Sequence, residues 1–139
     1  MANEIHSVGR LLLGAAREFS ARVCHKLREN DHPELKSGHA LLVANWDATG
    51  TRISTLAERA EITKQAMGVL VREMEALGYI ERAADPLDGR ATLAMPTAKG
   101  HRLLADVARF MAEIEAEQVE KIGRDALEQL QTTLQKMLE

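Results

Sequence analysis

The chain has 139 residues, of which 45% are hydrophobic and 28% are charged, and its formal net charge at pH 7 is −3. This length supports one hydrophobic core rather than two independent domains. The sequence contains one cysteine, no charged-then-apolar leader and no apolar run of about eighteen residues, so we expect a cytoplasmic protein without a disulfide framework, a secretory signal or a membrane span.

The first predicted helix carries an apolar stripe at spacings of three and four residues. Its members are Ile5, Val8, Leu12, Ala15, Phe19, Val23 and Leu27. The stripe ends at Asn30-Asp31-His32-Pro33, because proline stops a helix. A further helix is predicted over residues 37–48, with Leu41, Leu42 and Trp46 on its buried side.

Two short helices joined by a turn follow. We predict that the first starts at Ser54, whose hydroxyl can cap free backbone N–H groups, and that the second starts after a cap at Thr63. Six apolar residues of the second helix recur at helical spacing and are predicted to face the core: Ala66, Met67, Leu70, Val71, Met74 and Leu77. The opposite face carries Lys64, Gln65, Gly68, Val69 and Arg72.

The chemistry of that opposite face suits DNA. Gln65 can pair with an adenine edge, while Lys64 and Arg72 can reach guanine or phosphate. Glycine inside a helix costs about 1 kcal/mol relative to alanine, so Gly68 implies a close approach, either of bases or of a neighbouring helix. The alternative for the whole face is an ordinary solvated surface.

A β-hairpin is predicted directly after this helix. Gly78 can end the helix, and a strand that begins at Tyr79 is expected to pair with residues 91–95. Between the strands, residues 85–90 are predicted to form a projecting loop in which proline fixes one corner and Asp-Gly adopts positive φ at another. Arg90 would lie near the end of this loop, where a narrow minor groove could hold its guanidinium. An ordinary hairpin with a solvated arginine is the alternative.

Two more helices with apolar stripes complete the chain. The first carries Leu103, Val107, Phe110, Met111, Ile114 and Val119, and the second, after Gly123, carries Leu127, Leu130, Leu134, Met137 and Leu138. The central part of the chain has few free apolar faces against which these long terminal stripes could pack. We therefore expect residues 1–32 and 101–139 to form a dimer interface. A bundle closed within one chain is the alternative.

A set of short motifs stands in fixed order between positions 56 and 100. They are Leu56-Ala57, Ile62-Thr63-Lys64-Gln65-Ala66-Met67, Leu70-Val71, Gly78-Tyr79-Ile80-Glu81-Arg82, Asp85-Pro86, Asp88-Gly89-Arg90 and Thr97-Ala98-Lys99-Gly100. This stretch resembles the DNA-binding half of the MarR family of bacterial transcriptional regulators. One departure is Glu61, which stands where a glycine is common in the turn.

The resemblance implies a single domain over residues 1–139, mainly α with a small β-wing. A winged helix-turn-helix at residues 37–100 would lie between the N- and C-terminal dimerisation helices. It also implies a homodimer that binds a pseudo-palindromic operator on double-stranded DNA, most often as a repressor, with Arg90 in the minor groove. The predicted DNA-binding residues are Thr63, Lys64, Gln65, Gly68, Arg72, Arg82, Asp88 and Arg90.

Charge alone does not explain DNA binding here. Residues 52–102 hold eight basic and seven acidic side chains, whereas residues 103–139 hold four and eight. Placement of the cations, rather than bulk charge, must provide the phosphate contacts. A rival interpretation is a winged-helix dimer that binds a protein. Exposure of Arg90 and Gln65 on a positive face would favour DNA, and an acidic patch from Glu58, Glu61 and Glu73 would favour the rival.

In the family, effectors occupy the crevice between the dimerisation helices and the winged part. A small anionic or aromatic molecule is the expected effector class here, with His25, Arg28, His39 and Trp46 as candidate contacts by position. Trp46 or any single histidine could instead be a packing residue. Cys24 offers a thiol-based redox sensor as a further alternative, against a buried, inert cysteine.

The remaining functional classes have little support in the sequence. The histidines His6, His25, His32, His39 and His101 are scattered, so no metal site is predicted. No glycine-rich phosphate loop, His-Glu-x-x-His pair or nucleophile elbow occurs. We therefore predict no catalytic residues, no enzyme activity and no cofactor.

Overall fold

The computed structural model describes residues 7–139, so Ile5 and His6 lie outside the described residues. Within that range the chain is mainly helical with one small sheet, which confirms the predicted fold class. The elements in chain order are α1 Val8–Glu29, α2 His39–Val43, β1 Thr51–Arg52, α3 Ile53–Ala60, α4 Lys64–Ala76, β2 Ile80–Asp85, β3 Asp88–Pro96, α5 Ala98–Ile122 and α6 Arg124–Met137.

The ends of the two central helices are fixed by local chemistry. The Thr63 hydroxyl accepts a hydrogen bond from the Ala66 backbone N–H at 3.0 Å, which confirms Thr63 as the N-cap of α4. The predicted cap at Ser54 is wrong, because the chain enters α3 directly from β1 and Arg52 is the N-cap. Glu61 ends α3 in the left-handed region, at φ 55° and ψ 39°. Glycine adopts this conformation without steric cost, which fits its frequent occurrence in this turn among MarR proteins.

Helix α2 is much shorter than the predicted helix over residues 37–48. After Val43 the chain leaves the helix, and the side chain of Asn45 donates to the Leu41 carbonyl at 2.8 Å, so it competes with a helical continuation. Leu42 and Trp46 are buried as predicted, but Leu41 is 44% exposed. The apolar spacing therefore predicted the packing of two residues correctly and the length of the helix wrongly.

The three strands form an antiparallel sheet in the order β1-β3-β2. Ile80 pairs with Pro96, and at the other end of the hairpin Asp85 pairs with Asp88. The turn therefore comprises only Pro86 and Leu87, and the predicted six-residue loop is wrong. Residues 88–90 already belong to β3, where the register shifts beside Ala84 and Asp85, and the predicted positive φ at Asp-Gly does not occur.

The hydrophobic core lies under α4. Met67, Val71 and Met74 have no exposed surface, which confirms half of the predicted core face, and Leu70 and Leu77 are half-buried. Ala66 is exposed, so its assignment to the core is wrong. These residues pack among side chains from α3, the sheet and α5. Because the core face of α4 is so firmly buried, the opposite face is held toward solvent.

A buried polar network joins the hairpin to α5. The Tyr79 hydroxyl is hydrogen-bonded to Nδ1 of His32 at 2.6 Å, and Nε2 of His32 is hydrogen-bonded to the Asp106 carboxylate at 2.8 Å. His32 is only 3% exposed, and its two bonds satisfy both ring nitrogens. Burial, followed by the negative charges of Glu34 and Asp106, raises the pKa of Tyr79 above 10.0, so this hydroxyl keeps its proton.

The terminal helices are only partly covered within one chain. Helix α1 packs on α5, and Leu27, Leu103, Phe110 and Ile114 are buried there. Toward its N-terminus, however, α1 exposes Val8, and α6 has no buried residue. None of the helices within residues 7–139 has the length and apolar character needed to cross a membrane.

Candidate nucleic-acid interface

Helix α4 presents the polar face that the sequence predicts. Lys64, Gln65 and Arg72 are all exposed, and Gln65 and Arg72 lie on the side of the helix opposite the buried methionines. Thr63 is exposed as well, but its side-chain oxygen is occupied in capping the helix. The first turn of α4 therefore offers an amide and an ammonium group to a partner outside the chain.

Gly68 lies in the middle of α4 and has open space on its outer side. A Cβ atom built there would meet only the Nη1 atom of Arg72, at 3.6 Å, and no neighbouring helix lies within 4 Å. Close packing of a second helix, one of the two explanations given above for this glycine, therefore does not apply. The remaining explanation for Gly68 is the close approach of a molecule from outside the chain.

Asp85 holds the base of the hairpin turn. One carboxylate oxygen accepts from the Leu87 backbone N–H at 2.9 Å, and the other accepts from Nε of Arg52. The Leu87 hydrogen bond, helped by Arg52 and opposed by burial, lowers the pKa of Asp85 below 3.8. The tight turn is therefore fixed to β1 by a charged pair, and the hairpin projects in one defined direction.

Arg90 lies at the start of β3 and is exposed. Its backbone N–H donates to the Asp88 carboxylate at 3.1 Å, so Asp88 orders the local backbone. The side chain of Arg90 forms no ion pair with any residue from 7 to 139. This guanidinium is consequently available to a ligand.

A cleft of about 450 Å³ lies between α4 and the hairpin. Four basic side chains line it against a single carboxylate, and these five residues are Arg52, Lys64, Arg82, Arg90 and Asp88. Gly68 forms part of the floor. Arg52 is paired with Asp85, and Nε of Arg82 lies 3.3 Å from the Glu75 carboxylate. The cleft is positive although the chain as a whole is negative.

A second, apolar pocket of about 300 Å³ lies between α1, α2 and α5. Its lining is mainly aliphatic and aromatic, with a few polar or charged side chains at Ser20, Cys24, Lys36 and His39. The pocket is separate from the positive cleft, since no residue lines both. Its size is at the lower end of the range for small-molecule sites.

Comparisons with known proteins show what this arrangement is similar to. The MarR family model matches residues 47–91, from the approach to β1 to the first part of β3. Transcriptional regulator HosA of Escherichia coli O111:H- is 25% identical over 122 residues, which make up 88% of this chain and 87% of HosA. The chain is similar to the MarR family in the segment 47–91.

Solved structures share the MarR fold over nearly the whole chain. CouR from Rhodococcus jostii RHA1 bound to p-coumaroyl-CoA has a TM-score of 0.74 and 23% identity, covering 95% of this chain and 92% of that chain. The transcriptional repressor CouR bound to a 23-mer DNA duplex has a TM-score of 0.72 and 23% identity, with coverages of 96% and 93%. Because both structures are only 23% identical to this chain, their similarity establishes the fold alone.

The structure brings together most of the predicted DNA-binding residues. Five of the eight line the cleft: Lys64, Gly68, Arg82, Asp88 and Arg90. Gln65 and Arg72 are exposed on the adjoining face of α4, and Thr63 caps that helix. Sequence reasoning missed Arg52, because a strand of two residues leaves no periodic signal.

The four predicted effector contacts do not form one site. Only His39 lines the apolar pocket. His25 and Arg28 are exposed on the outside of α1, with Nε2 of His25 lying 3.2 Å from Glu29. Trp46 is a packing residue, since it is 6% exposed and its indole N–H donates to the Ala94 carbonyl at 2.8 Å. Within the described part of one chain, the arginine and the two histidines therefore do not come together.

Sequence reasoning also missed the cation that does reach the pocket, which is Lys36. Cys24 is buried in the same wall, and Tyr79, the one tyrosine of the chain, is bonded to His32 instead of to the thiol. In the part of the chain from residue 7 onward, no three His, Cys, Asp or Glu side chains come together as a metal site.

Proposed function

We propose that this protein is a MarR-family transcriptional regulator that binds specific double-stranded DNA as a homodimer. In this proposal α4 enters the major groove and the β2–β3 hairpin lies along the adjacent minor groove. The observation that carries the proposal is the positive cleft between α4 and the hairpin, with four basic side chains against one carboxylate.

The two sides of the cleft have different tasks in this proposal. Gln65, exposed in the first turn of α4, suits a bidentate pair with adenine. Lys64 and Arg52 suit phosphate contacts, which fix the position of the helix. Arg90 has a free guanidinium on the hairpin and suits a narrow minor groove, where the negative potential is strongest.

Exposed charges favour DNA over a protein partner. Arg90 and Gln65 both face solvent, as the DNA interpretation requires. Of the three glutamates that would form an acidic patch, Glu73 is directed instead to His39, 2.7 Å from its Nε2 atom. Because the acidic patch loses a member and the cleft carries four cations, a duplex is the better-matched partner.

Dimerisation is proposed from the uncovered terminal helices. Helix α6 contains no buried residue although it carries Leu130, Leu134 and Met137 along its length. Val8 and Leu11 of α1 are 64% and 57% exposed. Burying such surfaces against a second subunit contributes roughly 25 cal/mol per Å². A two-fold pair would also place two α4 helices about 34 Å apart, the repeat of a pseudo-palindromic operator.

We further propose that the regulator is a repressor released by a small anionic or aromatic effector in the apolar pocket. CouR, a repressor, has been solved both with DNA and with p-coumaroyl-CoA, and the present pocket is apolar with a lysine in its wall. An effector that prefers the non-binding arrangement by about 1 to 3 kcal/mol would lower operator affinity about 5- to 150-fold.

The test is a selection of genomic DNA fragments by the full-length protein, followed by titration of each enriched fragment against a scrambled duplex of the same composition. We expect a short inverted repeat and steep weakening with added salt. Addition of p-coumarate or p-coumaroyl-CoA to the bound complex then tests release. Absence of any enriched fragment would contradict the DNA proposal, whereas enrichment without release would contradict only the effector proposal for those compounds.

A further inference from the structure

His39 connects the apolar pocket directly to α4. The residue begins α2, lines the pocket and is 2% exposed. Nε2 of its ring lies 2.7 Å from the carboxylate of Glu73, which is in the C-terminal half of α4. One side chain therefore touches both the pocket and the helix that is proposed to enter DNA.

The hydrogen bonds of His39 fix its orientation and tautomer. Nδ1 accepts from the Lys36 backbone N–H at 3.0 Å, so the ring hydrogen is on Nε2 and is donated to the Glu73 carboxylate. Lys36 also lines the pocket. A displacement of Lys36 or His39 in the pocket wall consequently moves the Nε2–H group of His39, which donates to Glu73. This hydrogen bond is charge-assisted, so it resists being broken.

Helix α2 also packs directly against α4. Gly38, just before α2, faces Leu70 of α4, and a Cβ added at Gly38 would be in ordinary contact with the Leu70 Cδ2 atom, at 3.4 Å. Val43, at the other end of α2, lines the pocket. Helix α2 has only five residues and is therefore a small rigid body between the pocket and α4.

We propose that the His39–Glu73 hydrogen bond is the mechanical link through which filling of the apolar pocket displaces α4. His39 acts as a positioning residue, and it contacts no DNA. The inference rests on the proposed function for its biological consequence, since displacement of α4 would alter operator binding. The link itself is a property of the free protein and can be measured without DNA.

The test introduces a larger side chain into the pocket from α1, on the wall opposite α2, and measures the response of α4. Cys24 of α1 lines the pocket, so Cys24→Leu places a larger side chain into it. Full-length protein labelled with ¹⁵N-glycine then reports at two places: the amide of Gly38 beside α2 and the amide of Gly68 in α4. We expect Cys24→Leu to shift both amide signals.

The same filling is repeated in a Glu73→Ala background as a double-mutant cycle. Because the link is then missing, Gly38 should still shift, while the Gly68 shift should fall below half of its original value. Glu73→Gln keeps an acceptor at this position and should preserve most of the Gly68 shift. Glu58→Ala is the matched control, since it removes an exposed carboxylate from α3 and should preserve all of it.

Two outcomes would overturn the link: an unchanged Gly68 shift in the Glu73→Ala background, or no Gly68 shift on filling in the otherwise native chain. Thermal unfolding of each variant verifies that the comparison is made on folded protein. Operator binding is titrated separately on the same samples. Unchanged operator binding in Cys24→Leu, with an intact Gly68 response, would contradict the proposed function and leave the link standing.

Discussion

Arg90 is the residue on which the minor-groove contact depends. Replacing it with alanine should weaken binding to sites with A/T-rich flanks by about 1 to 3 kcal/mol, because the guanidinium is exposed and unpaired among residues 7–139. Mobility-shift titration gives the affinity. Arg28→Ala, which removes an exposed arginine of α1, should leave the affinity near the native value. Equal affinities for Arg90→Ala and the native protein would count against the role of the hairpin.

Gly68 allows a prediction in which stability and binding change in opposite directions. Gly68→Ala should stabilise the fold by about 0.5 to 1 kcal/mol, because alanine is the better helix former and the space is open. The same methyl group would stand on the cleft side of α4 and should weaken operator binding. Thermal unfolding and DNA titration measure the two effects. A variant that is more stable and binds equally well would remove close approach as the reason for this glycine.

Residue positions on a helix are predictable from periodicity where the helix is long and half-buried. The burial of Met67, Val71 and Met74, and the exposure of Gln65 and Arg72 opposite them, are of this kind. Helical periodicity also explains why two of the predicted effector contacts do not line the apolar pocket. His25 and Arg28 lie beside the buried positions Cys24 and Leu27, so helical spacing already directs them away from the pocket.

At the scale of an element, the hairpin turn depends on the ionised form of Asp85. Its pKa is lowered, so the folded chain binds this proton less readily than the unfolded chain. The stabilisation is therefore complete above the ordinary value of 3.8 and is lost as the pH falls through the lower folded value. We expect the Leu87 amide signal to move with the Asp85 carboxyl signal in an NMR acid titration. Asp85→Asn should abolish this coupled movement.

The position of the hairpin turn was not predicted correctly from the sequence. Asp-Gly is a strong turn signal, yet the chain turns two residues earlier because the Asp85 side chain accepts from the Leu87 N–H and fixes Pro86-Leu87 as the corner. The β1 strand was missed because it depends on contact with a distant segment. Thr51 pairs with Ala94, and a local pattern does not contain this pairing.

At the scale of the whole molecule, α6 supplies the test of dimerisation. Leu130 is 45% exposed in a helix with no buried residue, so Leu130→Lys places a charge into the proposed subunit interface. We expect a monomer in sedimentation experiments and loss of operator binding, because both half-sites are then no longer held together. Gln131→Lys adds the same charge on the next residue, which is already exposed, and should remain dimeric. A monomeric native protein would contradict the dimer altogether.

The overall architecture was the most predictable level. The order of helices, the hairpin after α4 and the uncovered terminal helices all follow from apolar spacing and turn residues. The apolar pocket was not predictable in detail, because its wall combines α1, α2 and α5, which are distant in sequence. The polar connections across the molecule, His32 with Asp106 and His39 with Glu73, were likewise invisible before the fold was known.

Trp46 gives this molecule an optical reporter of its own. It is the one tryptophan of the chain, and its buried indole donates to the Ala94 carbonyl in the central strand. Its fluorescence therefore originates beside the sheet and far along the chain from α6. Melting of the winged part should shift the emission to the red, while separation of subunits through α6 should leave the spectrum unchanged, so one emission scan distinguishes dissociation from unfolding.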